Sequence, residues 1–127
     1  MPNVLLFTTG VASELIDKFM DELGPALRQA TADALGDVNN GQVAVLHIRL
    51  SSTSNMTAMQ IFAVGSTSSE RQDRLRRWAI YLAKAWRRFA TSHSIEWGDN
   101  VDVWPILPEG FWLMATEEKI RWAEQLM

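Results

Sequence analysis

Between Leu75 and Ala90 an apolar residue recurs at every third or fourth position: Leu75, Trp78, Ala79, Leu82, Ala83, Trp86, Phe89 and Ala90. That period predicts a helix with one apolar face. Its two tryptophans, eight residues apart, share the stripe and belong to a core. Thr67-Ser68-Ser69-Glu70 marks the start as a capping box, with the Thr67 hydroxyl accepting from the Glu70 amide and the Glu70 carboxylate reaching back. Arg71, Arg74, Arg77, Lys84, Arg87 and Arg88 fall off the stripe and read as a solvated face.

The rest of the chain is arranged around a second such helix and four strands. Val4 to Phe7 is a short apolar strand ended by Thr8-Thr9-Gly10. From Ser13 to Leu35 the residues Ile16, Phe19, Met20, Leu23, Leu27, Ala30 and Ala34 give a helical face, with Ser13 as N-cap and Gly36 as the C-terminal glycine. Pro25 removes one donor inside this run, so a kink or two helices end to end are expected. After the turn Asp37–Gly41, the span Gln42 to Leu50 alternates as a strand. Ala44, Leu46, Ile48 and Leu50 form the face that suits a helix-covered core. Val43, Val45, His47 and Arg49 form the other. A polar loop, 51–57, leads to a third strand, Ala58 to Val64, closed by Gly65. Beyond the helix, Val101 to Ile106 is a fourth strand whose Pro105 marks an edge or an early end. Glu117 and Glu118 open a short terminal helix from about Thr116. The chain reads as one domain, residues 1–127, with two β-α-β units in succession.

Composition removes several classes of function. No cysteine is present, so disulfides, thiolate catalysis and thiolate metal sites are excluded. The two histidines, His47 and His93, are far apart and show no metal-ligand spacing. A net charge of -3 argues against nucleic acid as partner. No apolar run approaches the ~20 residues that a membrane-spanning helix needs. The N-terminus has neither a basic region nor a small-residue cleavage site, which leaves a cytoplasmic setting as the expectation.

Pro2 is the one residue whose position could itself create a reactive group. With Met1 removed it is a secondary amine fixed at the head of a strand. An ordinary α-amino group titrates at ~7.7–8.0, and an apolar surrounding lowers that value, which favours a neutral base. His47 and Arg49 share one strand face and read either as a clamp for an oxyanion or carboxylate, or as an edge or inter-subunit face where polar residues pair. Trp104 and Trp112 suit a pocket wall or a subunit interface.

A chain of this length that begins Met-Pro-strand and runs β-α-β-β-α-β resembles the tautomerase superfamily: 4-oxalocrotonate tautomerase, 5-carboxymethyl-2-hydroxymuconate isomerase, macrophage migration inhibitory factor and the chloroacrylate dehalogenases. Pro2, Val64-Gly65 before the second helix and Phe111-Trp112 after the fourth strand carry the likeness, over residues 2 to about 112. The resemblance implies an α+β fold, with a four-stranded sheet and both helices on one face. It implies a homotrimer with sheets turned inward and a site at the subunit boundary. Pro2 would be the catalytic base on a small enol or unsaturated keto acid, with Val64, Trp104 and Trp112 near the pocket wall. No metal or cofactor is implied. The chain departs from the pattern in its cations, since residues 37–42 and 65–69 contain none; Arg49 lies further along its strand and Arg71 inside the helix. The alternative is a non-catalytic ferredoxin-like sandwich, a ligand-binding or oligomerisation module. A hairpin between strands two and three would favour it, whereas strands one and three as neighbours favour the tautomerase-like arrangement.

Overall fold

The computed structural model describes residues 2–51, 59–107 and 115–126. Strand β1 (Asn3–Thr8) is followed by helix α1 (Gly10–Leu35), a 3-10 turn at Asn40–Gln42 and strand β2 (Ala44–Arg49). Strand β3 (Met59–Val64), helices α2 (Ser69–Asp73) and α3 (Leu75–Ser92) and strand β4 (Val101–Ile106) repeat the pattern. Helix α4 (Glu117–Glu124) comes last.

The sheet order is β2-β1-β3-β4. Each β-α-β unit pairs its own strands in parallel, as Val4 opposite Val45 and Ile61 opposite Val103. The two units join through antiparallel β1 and β3, with Val4 opposite Ala63 and Leu6 opposite Ile61. β1 therefore separates β2 from β3, and no hairpin links them. The ferredoxin-like alternative is set aside on that ground, and the α+β sheet with helices on one face stands.

Alternation divides the central strands into two faces. Val4, Leu6, Thr8, Met59, Ile61 and Ala63 are fully buried beneath the helices, with Ile16, Leu23, Leu27, Trp78, Leu82 and Trp86 packed on them. The outer face carries Leu5, Phe7, Phe62 and Val64, which stay partly open. Phe7 and Phe62 meet there edge to face at 5.4 Å.

Several local expectations need correction. α1 begins at Gly10 behind Thr9 as N-cap, and Ser13 lies inside it, buried. The helix runs through Pro25 as one element and closes on Gly36, whose φ of 74° is the left-handed turn that glycine adopts without strain. The second helix is capped by Ser68, not Thr67: its hydroxyl accepts from the Arg71 amide at 3.1 Å. Arg74 then interrupts the helix between α2 and α3.

On β2 the faces are reversed from expectation. Val43 and Val45 are buried on the helix side, while Leu46 is 50% exposed on the outer face. The reason is the edge position of β2. Its helix-side face can end in His47 and Arg49 because α1 and Thr8 offer them polar partners, described below.

The arginines after Ser68 are not simply solvated. Arg71 is buried, and its Nε donates to Asp37 at 2.9 Å. Arg77 Nε donates to the Ala34 carbonyl at 2.7 Å, and Arg74 Nη1 donates to that of Leu35. Both satisfy acceptors that the C-terminus of α1 leaves open.

Among the polar ties in the core is Trp78 Nε1 donating to Thr31 Oγ1 at 3.0 Å, with both residues fully buried. Replacing Thr31 by Val keeps the shape and strands the indole N–H, a loss of about 1–3 kcal/mol. Urea denaturation of Thr31→Val is expected to show a lower midpoint with an unchanged slope.

Candidate functional site

Pro2 stands at the head of β1, one of the two central strands. It is buried, and its carbonyl accepts from the Ala44 amide at 3.2 Å, which ties it to β2. Across the sheet Asn3 pairs with Val64, so Val64 belongs to the same end. The chain then passes Gly65, whose amide donates to the Ile106 carbonyl at 3.2 Å. A Cβ at Gly65 would lie 3.3 Å from Arg71 Nη1, 3.5 Å from Leu107 and 3.6 Å from Trp78, so glycine is what lets these groups close in.

Arg71 is a buried cation at this end, where the sequence alone reads it as surface. Its Nη1 donates to the Ser66 hydroxyl at 2.9 Å and to the Ser66 carbonyl at 3.2 Å, while Nε and Nη2 both reach Asp37. A guanidinium so committed fastens the β3–α2 turn to the end of α1. Only its partner identifies that role, and Asp37 lies 34 residues away in sequence.

His47 and Arg49 lie at the opposite end of β2. In the parallel register Leu6 faces His47, three positions beyond the Asn3–Ala44 pair, and Thr8 faces Arg49, five beyond it. At ~3.3 Å per residue this is roughly 16 Å from the Pro2 end. One chain does not bring these two residues to Pro2. Instead they form a polar cluster with β1 and α1. His47 Nδ1 lies 2.7 Å from Asp17 Oδ1, and Nε2 lies 2.5 Å from Thr8 Oγ1. Thr8 Oγ1 lies 2.8 Å from Ser13 Oγ. A carboxylate only accepts, so the neutral ring donates from Nδ1 to Asp17 and accepts the Thr8 hydroxyl proton at Nε2; Thr8 accepts in turn from Ser13. Arg49 pairs with the other oxygen of Asp17.

This cluster resembles a nucleophile relay in its connections but not in its access. Thr8 is fully buried and Ser13 nearly so, leaving no approach for a substrate to either hydroxyl. Its role is to satisfy polar groups at the edge of the helix-covered layer.

The aromatic candidates lie elsewhere. Trp104 is on the outer face of β4, opposite Phe62, and 52% exposed. Trp112 lies outside the described residues. Leu5, Phe7, Leu50, Gln60, Phe62 and Val64 line a shallow apolar hollow of about 280 Å³ on that same outer face. A larger groove of about 660 Å³ runs between α1 and α3 over Ala26, Ala30 and Ala85, away from Pro2. No group of three or more potential metal ligands occurs among the described residues. No described helix is long and apolar enough to cross a membrane.

No family model and no curated protein sequence matches the chain. Solved structures do match it. The R7 fused 4-OT, described as an asymmetric trimer, aligns with a TM-score of 0.58 at 16% identity, over 96% of this chain and 98% of that one. Macrophage migration inhibitory factor of Toxoplasma gondii aligns at 0.52 and 17% identity, over 91% and 97%. Malonate semialdehyde decarboxylase aligns at 0.52 and 14% identity, over 94% and 97%. The fold of this chain is the tautomerase-superfamily fold.

Burial lowers the His47 pKa below its ordinary 6.5. His47 is thus neutral in the folded chain, while the unfolded chain takes up a proton at about 6.5. Stability is expected to be full above that value and to fall as pH drops through it toward the folded value. Thermal melts of native chain and His47→Gln between pH 7.5 and 5 check this; the variant is expected to give the flatter profile.

Proposed function

We propose that this chain is a tautomerase-like isomerase in which Pro2, freed by removal of Met1, is the general base. The observation that supports it is the position of Pro2: buried, tethered to Ala44 and leading a central strand in a fold shared with tautomerases. The substrate class is a small enol or unsaturated keto acid. The neutral secondary amine takes the proton beside the carbonyl. The enolate oxygen is stabilised by a cation or by backbone amides, and the ammonium returns the proton at another carbon of the same molecule.

The working unit is a homotrimer with outer sheet faces turned inward. The R7 fused 4-OT is a trimer by its description, and the malonate semialdehyde decarboxylase set includes a variant whose first-residue proline is alanine. Val64 lies beside the Pro2 end, and Trp104 shares the face that the trimer would enclose. Trp112 joins them as a wall residue in this proposal. Arg49 is the cation assigned to the substrate carboxylate. It is too far from Pro2 of its own chain, so a neighbouring subunit supplies it. Its pair with Asp17 is exposed on both sides, and such pairs hold by about 0–1 kcal/mol, little enough for an incoming carboxylate to displace. His47 stays behind, holding Asp17.

Intact mass is expected to show the chain without Met1, and Pro2→Ala is expected to lose at least about 100-fold in ketonisation of simple enol acids. Equal rates for the two would favour a non-catalytic binding or oligomerisation module. The native rate is expected to rise with pH as the amine loses its proton and to level off once it is neutral.

Arg49→Ala is expected to raise KM. Refolding it together with Pro2→Ala is expected to recover, at low substrate concentration, a rate above that of either alone, since some boundaries then carry one intact copy of each residue. No recovery would remove Arg49 from the site.

A further inference from the structure

Helices α1 and α3 run antiparallel, as the Thr31–Trp78 and Phe19–Phe89 contacts show, and the groove of about 660 Å³ lies between them. That volume is in the range of small-molecule sites. Ala30, Ala85 and Phe89 are buried beneath it and give it an apolar floor. Tyr81, the single tyrosine of the chain, is half-buried in its lining. Small residues on facing helices leave a trough wherever they occur, so the floor alone does not argue for a ligand.

The charged rim does. The α1 wall carries Glu22 and Asp33, the α3 wall Lys84 and Arg88, and all four are exposed. The walls are opposite in sign, yet among the described residues no ion pair joins one to the other. Glu22 uses one oxygen for His93 at 2.7 Å, and Asp33 uses one for Gln29 at 2.8 Å. Each carboxylate keeps a second oxygen for another donor. Lys84 and Arg88 have no partner among the described residues, whereas Arg87, one position away, is paired with Asp99. Their spacing of four sets two like charges on one helix face, roughly 6 Å apart along the axis, and nothing in the chain offsets them there.

An anion in this groove satisfies α3 and is repelled by α1, and a cation meets the reverse. A molecule that carries both charges satisfies both walls. From this we infer that the α1–α3 groove binds a small zwitterion with an apolar body, of the class of aromatic α-amino acids. Its carboxylate lies on Lys84 and Arg88, where the guanidinium offers two parallel N–H donors. Its ammonium lies on the remaining oxygens of the α1 carboxylates, and its ring on the alanine floor beside Tyr81. The groove belongs to the helix layer and not to the outer face of the sheet. The inference is therefore independent of Pro2 chemistry, and a trimer with its sheets turned inward leaves the groove open.

Tyr81 supplies the test. A full-length chain grown with ring-fluorinated tyrosine gives one fluorine NMR resonance, and titration with phenylalanine is expected to shift it to saturation. Hydrocinnamate, which keeps only the carboxylate, and phenethylamine, which keeps only the ammonium, are each expected to bind at least tenfold more weakly. In Glu22→Gln/Asp33→Asn the preference for phenylalanine over hydrocinnamate is expected to vanish. In Lys84→Met/Arg88→Gln the preference over phenethylamine is expected to vanish. All four side chains are exposed, so thermal melts of both variants are expected to match the native chain and to separate lost binding from lost fold. Equal binding of the three compounds to the native chain would overturn the inference. So would preferences that survive both double variants, or a resonance that does not move up to the solubility limit of phenylalanine.

Discussion

The antiparallel pairing of β1 with β3 is the contact on which the molecule depends. It joins the two β-α-β units along the sheet, and it places both unit-opening strands at the centre. Each central strand then gives alternate residues to the helix layer. The register that sets Leu6 against Ile61 also sets Asn3 against Val64. Core packing and the surroundings of Pro2 are therefore fixed by one alignment, and a one-residue slip would move both together.

The helix layer adds a second join. Phe19 of α1 meets Phe89 of α3 at 5.9 Å. Trp86 is stacked on Trp97 at 5.6 Å and donates to the Gly98 carbonyl at 2.8 Å, which holds the approach to β4. At the other end of α1, Arg71, Arg74 and Arg77 bind Asp37 and the Leu35 and Ala34 carbonyls. Apolar contacts link the helices along their length, and polar ones fix where α1 stops.

The elements were legible in the sequence because each carried a local signal: the period of Trp78, Leu82, Trp86 and Phe89, the glycine at 36, the proline at 105. The order of strands became legible only through resemblance to known proteins. What failed were features that need a partner distant in sequence. Val43, Val45, His47 and Arg49 look half polar until Thr8 and Asp17 are placed opposite the last two. Arg71 is indistinguishable from its solvated neighbours until Asp37 meets it. Serine at 68 and threonine at 67 are equally good caps by type, and only backbone geometry chooses between them. For the site, Pro2 and Val64 share one end of the sheet, while His47 and Arg49 lie toward the other, a separation that follows from strand direction and not from residue type.

Pro105 has a consequence of its own. The Ile106 carbonyl points toward β3, where it accepts from Gly65, so alternation turns the backbone of Pro105 toward the open edge of β4. At that place an ordinary residue would offer an N–H to any passing strand; proline offers none. Sheet extension past β4 is interrupted at the last of its edge-facing rungs, after Val101 and Val103, which weakens open-ended, fibre-like growth there. A strand added along this edge would therefore be held by fewer backbone bonds than one inside the sheet.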